Sequence, residues 1–145
     1  MPVPFRFDTV LRVREAERDA CRLALAREQS RHATLLEECN RVAAERRTVL
    51  EELQAMQDGK DWSPTHALAR GHHAGQLAES LVQLEAALDE VATNLIRHRH
   101  ELLEADTAVK ALEKLAGRHH SDQTRSELAR EERDRDDTRR SGRAA

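Results

Sequence analysis

The positions Leu77, Leu81, Leu84, Leu88, Val91, Leu95, His98, Leu102, Ala105, Val109, Leu112 and Ala116 follow one another in steps of four and three, and only His98 is not apolar. Steps that average 3.5 residues keep a stripe on one side of a slightly underwound helix, the seam of a coiled coil. A stripe this narrow suits contact with one partner helix better than the wall of a globular core. No Gly or Pro falls between Gln76 and Ala116. At 1.5 Å per residue the seam is therefore about 60 Å long. A helix of that length needs a partner along its side.

Composition supports the same reading. Aromatic residues make up 2% of the 145 residues and charged residues 35%, with Ala, Leu, Glu and Arg dominant. That is the usage of long helices and coiled coils. The formal net charge is −3 with both signs mixed along the chain, which argues against a nucleic-acid interface built on a basic face. No segment approaches the roughly 18 apolar residues of a membrane span. Met1-Pro2-Val3-Pro4-Phe5-Arg6-Phe7 lacks an apolar signal region, so a cytoplasmic location is expected. Cys21 and Cys39 on one helix would lie about 27 Å apart along its axis, too far for a disulfide, and are expected as reduced seam thiols.

In chain order, Asp8 is a candidate N-cap of a first helix over about 8–57. Its stripe runs Leu11, Arg14, Arg18, Cys21, Leu25, Glu28, His32, Leu35, Cys39, Val42, Arg46, Val49, Leu53, Met56. Glu37 and Arg41 have the spacing of a supporting ion pair. Gly59 is placed to take positive φ at the helix end. Ser63-Pro64 reads as an N-cap with Pro at the first helical position, and Trp62 as a staple onto that turn. Gly71 and Gly75 predict a break, so residues 58–75 are expected as a turn and short helix, and a second long helix over about 76–140. Residues 141–145 are expected to fray. Glu131 to Arg135 and Asp136 to Arg140 have helix-supporting spacing in the charged end segment. Two stripes of similar length joined by about twenty residues predict an all-α fold: one long antiparallel two-helix coiled coil spanning 1–145 as a single domain. Parallel pairing between chains is the alternative, and the turn residues favour the hairpin.

Eight histidines raise the question of metal. His32, His66, His72, His73, His98, His100, His119 and His120 include no pair at i,i+3 or i,i+4, the spacing that puts two ligands on one helix face. No metal site, cofactor or catalytic residue is expected. The carboxylates lie on helices with no predicted cleft to shift a pKa, so no enzyme activity is expected. His98, inside the seam, is a candidate register-setting polar position.

The ends of the chain carry a resemblance. Phe5-Arg6-Phe7-Asp8-Thr9-Val10-Leu11-Arg12-Val13-Arg14-Glu15 resembles the opening of the FliJ family, coiled-coil proteins of the flagellar type III export apparatus. Lys110-Ala111-Leu112-Glu113-Lys114-Leu115 resembles that family's stretch late in the second helix, and the charged run Glu127 to Arg140 is similar to its tail. Family members often carry aromatics near the start of the second helix, whereas His72-His73-Ala74-Gly75-Gln76-Leu77 has none. The resemblance implies a soluble, stalk-like hairpin at the cytoplasmic face of the flagellar base, attached to the membrane only through partners. Those partners are the export ATPase FliI, the export gate protein FlhA and export chaperones, whose recycling it assists. It points to Phe5, Arg6, Phe7, Arg12 and Arg14 for the ATPase, and to Trp62, His73, Leu77, Leu81 and Leu84 for the gate. The alternative is a structural or chaperone-like coiled coil unconnected with export.

Overall fold

A computed structural model of the chain describes residues 6–59 and 63–144. Two helices, α1 (Asp8–Asp58) and α2 (Pro64–Ala144), pack against each other as a helical hairpin, with no strand among the described residues. The expected all-α hairpin is therefore the fold.

Both helix starts follow from local chemistry. The Leu11 N–H donates to the Phe7 carbonyl at 2.8 Å. Phe7 thus occupies the cap position and Asp8 the first helical one, a residue later than the sequence suggests. Asp8 still serves the helix start, because its carboxylate sits at the positive end of the macrodipole and pairs with Arg12 at 3.3 Å. At α2 the expected cap is present. The Ser63 Oγ accepts the His66 N–H at 3.4 Å and the Ser63 carbonyl accepts the Ala67 N–H at 2.9 Å, with Pro64 at the first position. Trp62, the expected staple, lies outside the described residues.

The α2 stripe is covered as predicted. Every member from Leu77 to Ala116 is buried or half-buried, and Val91 and Val109 are fully buried. The same 3.5-residue beat continues to Ala67, Arg70 and Ala74 on one side and to His119 and Gln123 on the other. In α1 the predicted series is also covered, with one exception: Arg14 is exposed and Glu15 is the half-buried residue there. Polar members Arg18, Glu28, His32 and Arg46 share the seam with Cys21, Leu25, Leu35, Val42 and Val49.

Three expectations about the helices fail. No break occurs at 71–75, and α2 starts at Pro64 rather than near 76. Two helical glycines cost about 1 kcal/mol each, but Ala74 between them is buried against Val42, Val49 and Leu77, and that contact holds the helix through them. Gly59 does not take positive φ. Its lack of a side chain matters otherwise, since a Cβ there would stand 3.1 Å from the Ala55 carbonyl oxygen. The helix also runs past residue 140 to Ala144. On the surface, Arg41 pairs with Glu38 and, at 3.5 Å, with Glu45, rather than with Glu37.

The helices group into two compact units, Met1–Arg22 with Glu101–Ala145, and Leu23–His100. The second holds the core cluster of Val42, Val49, Ala74 and Leu77, with Leu81 and Leu84 packed on it. The first contains both chain ends, and its one fully buried side chain among the described residues is Val109.

Val91→Asp is expected to destabilise the protein by about 3 kcal/mol or more, because a carboxylate then loses water at a fully covered position. Glu132→Ala on the exposed helix is expected to change stability by under about 0.5 kcal/mol. Urea unfolding of the two variants tests this, and equal effects would show that the stripe is not the organising contact. The glycines separate in the same assay. Gly75→Ala, with open space at its Cβ position, is expected to stabilise by about 1 kcal/mol, whereas Gly59→Ala should gain nothing or lose.

Candidate partner-binding surfaces

The residues that could meet a partner lie on the flanks of the seam, and each unit presents its own set. In the unit with the chain ends, Arg6, Phe7, Arg12 and Arg14 are all exposed. The Arg6 guanidinium stands 5.6 Å from the centroid of the Phe7 ring, within cation–π range. Arg14 Nη1 bonds Glu17 Oε2 at 3.0 Å and Arg12 meets Asp8. The basic start is thus internally compensated rather than a bare cationic patch. Phe5 lies outside the described residues. Beside this surface runs an open groove between the helices, floored by Ala20, Cys21, Ala105 and Ala108 and rimmed by Arg14, Glu17, Glu101 and Glu104. Small side chains at facing seam positions leave that space unfilled. Asp106 lies nearby, and a hydrogen bond from Lys110, 2.9 Å away, holds its carboxyl below the ordinary range, with the charges of Lys110, Arg22 and Arg18 adding to the effect.

In the unit with the connection between helices, His73 Nε2 lies 3.4 Å from Glu45 Oε1, and Arg70 Nε lies 3.3 Å from Glu52 Oε2. Both pairs bridge α1 and α2, His73–Glu45 beside the seam and Arg70–Glu52 from a position on its beat. The five residues expected at the gate side divide. His73 is half-buried and engaged with Glu45. Leu77 is 9% exposed and belongs to the core, while Leu81 and Leu84 pack on that core with part of their surface open. Trp62 lies outside the described residues. A groove on this unit is lined by Glu38, Arg41, Val42, Glu45, Leu77 and Leu84, among others. Leu68, which the sequence did not single out, is the most exposed large apolar residue among the described residues, at 76%.

Glu45 and Glu52 are seven residues apart, each just before a seam position of α1. They face Arg70 and His73 because the helices are antiparallel. The heptad register carries that signal, since flanking positions of a coiled coil hold the interhelical charge pairs. Among the described residues no cluster of three or more His, Cys, Asp or Glu side chains is placed to hold a metal ion. No helix among them is long and apolar enough to cross a membrane.

A two-helix hairpin with a narrow seam, charged flanks and shallow grooves defines a coiled-coil protein. The family model described as Flagellar FliJ protein matches residues 4–144, nearly the whole chain, and the chain belongs to that family. It is therefore an export-related coiled-coil protein of the flagellum. No curated protein and no solved structure matches the chain.

The charge pairs give a pH expectation. Glu38 is held below the ordinary carboxylate range by the hydrogen bond from Arg41, with the Arg41 charge adding to it. A carboxyl lowered in this way stabilises the fold above its unfolded pKa, and the contribution is lost as pH falls through the folded value. Arg41→Ala is expected to move the Glu38 titration upward without moving that of Asp106, as read by carboxyl-carbon NMR. An unmoved Glu38 would mean that the pair does not persist in solution.

Proposed function

We propose that this protein is a stalk-like component of the flagellar type III export apparatus that binds the export ATPase FliI and the export gate protein FlhA. It acts at the cytoplasmic face of the flagellar base and assists recycling of export chaperones. The observation that carries this reading is the family match over residues 4–144. The division into two units supports the assignment of two partners: one unit contains both chain ends and the other the connection.

The ATPase side uses Arg6, Phe7, Arg12 and Arg14 together with Phe5 and the exposed charged end of α2. Exposed charges that already have local partners can exchange them for groups on a protein wall, which favours a polar and reversible contact. The gate side uses Trp62 and His73 with the open parts of Leu81 and Leu84. Leu77, buried in the core, contributes by holding that surface in place.

Deleting residues 118–145 is expected to abolish stimulation of the export ATPase while leaving gate binding intact. Trp62→Ala together with Leu68→Ala, the latter at an exposed position, is expected to weaken gate binding at least several-fold and leave ATPase stimulation unchanged. Pull-down and ATPase assays on both variants, with helix content checked by circular dichroism, decide the matter. Loss of both interactions from either folded variant would sink the two-sided reading.

A further inference from the structure

From Thr124 to Arg143 every residue of α2 is exposed. The 3.5-residue stripe stops at Gln123, and within residues 124–143 the apolar side chains are Leu128, itself 55% exposed, and Ala129. Packing therefore contributes nothing to these five to six turns, although tertiary burial is what supports most helices in proteins.

Charge pairing does not replace it. At i,i+4 the opposite-sign neighbours Arg130–Asp134, Glu131–Arg135, Arg133–Asp137 and Asp136–Arg140 are matched in number by the like-sign neighbours Glu127–Glu131, Glu132–Asp136, Arg135–Arg139 and Arg139–Arg143, and two of the opposite-sign pairs have the weaker basic-first order. Like-sign pairs at that spacing destabilise a helix about as much as opposite-sign pairs support it. Among the described residues no ion pair joins two side chains of this segment. Intrinsic propensity is mixed: Arg, Glu, Leu and Ala are interspersed with Thr124, Ser126, Asp134, Asp136, Asp137, Thr138, Ser141 and Gly142, and the weak formers crowd from Asp134 onward. Thr124 and Thr138 bond back to the His120 and Asp134 carbonyls, a habit that slightly weakens helices.

We infer that residues 124–143 form an independently melting helix, which opens to coil and recloses while the seam up to Gln123 stays intact. The seam end at Gln123 templates the first turn, so closure needs no separate nucleus, but each added residue gains almost nothing. A partner that grips this segment as a helix then supplies the ordering free energy itself, and its binding is coupled to folding.

Native-state hydrogen exchange on the full chain tests this. Amides from about 128 to 140 are expected to exchange within about tenfold of the unfolded rate, while those around Val91 and Val109 are slowed by several orders of magnitude. The triple variant Ser126→Ala, Thr138→Ala, Gly142→Ala changes no charge and touches no packed residue. It is expected to slow exchange several-fold within 124–143 and nowhere else. Wild-type protection above 100-fold in this segment, or a triple variant that exchanges like wild type, would overturn the inference.

Discussion

The contact on which everything else depends is the burial of one 3.5-residue stripe of α2 along α1. Fully covering a Val or Leu is worth about 1.5–3 kcal/mol, and a two-helix seam can cover few side chains that well. Val42, Val49, Ala74, Leu77, Val91, Leu95 and Val109 are the buried ones among the described residues. No second layer stands behind them, so each seam position counts. Two long helices thus yield a narrow contact and a large exposed surface.

The seam was legible from sequence because its period is a property of one helix alone. The stripe on α2 is continuous in Leu, Val and Ala, and each of its members is covered. The α1 stripe contains Arg18, Glu28, His32 and Arg46, yet its apolar members alone were enough to fix the side that turns inward. The register failed only at Arg14, where Glu15 turns inward instead. Neither is apolar, so hydrophobicity gave no ground for choosing between them. The predicted break at 71–75 failed because glycine propensity is a local quantity, while Ala74 between the two glycines is held by Val42 and Val49 from the other helix.

Surface features were less legible, since they depend on which residues of α1 face which of α2. The pairs His73–Glu45 and Arg70–Glu52 need the alignment of two helices, and reading each stripe separately does not supply it. The same gap explains Leu77. The stripe puts it on the covered side of α2, while the resemblance assigns it to the gate. In the hairpin Val42 and Val49 come alongside it, and it joins the core. Leu68, which the stripes leave aside, lies one residue after the seam position Ala67 and is exposed.

The polar seam members bear on how the pairing is specified. Glu28 Oε2 and Arg46 Nε are buried in the seam without a hydrogen-bond partner, and such groups cost stability. A seam of only Leu and Val would be stronger but less particular, because an apolar stripe with a regular repeat slides by a heptad onto another nearly equivalent pairing. A charged residue in the stripe makes the alternatives unequal. A shift by seven residues would bring Arg46 or Glu28 opposite a different part of α2 and break the flanking pairs at Glu45 and Glu52. Specificity gained in this way lies in the long-range match between helices. Within each unit it keeps the residues of α1 opposite their own partners on α2, as the pairs at Glu45 and Glu52 require.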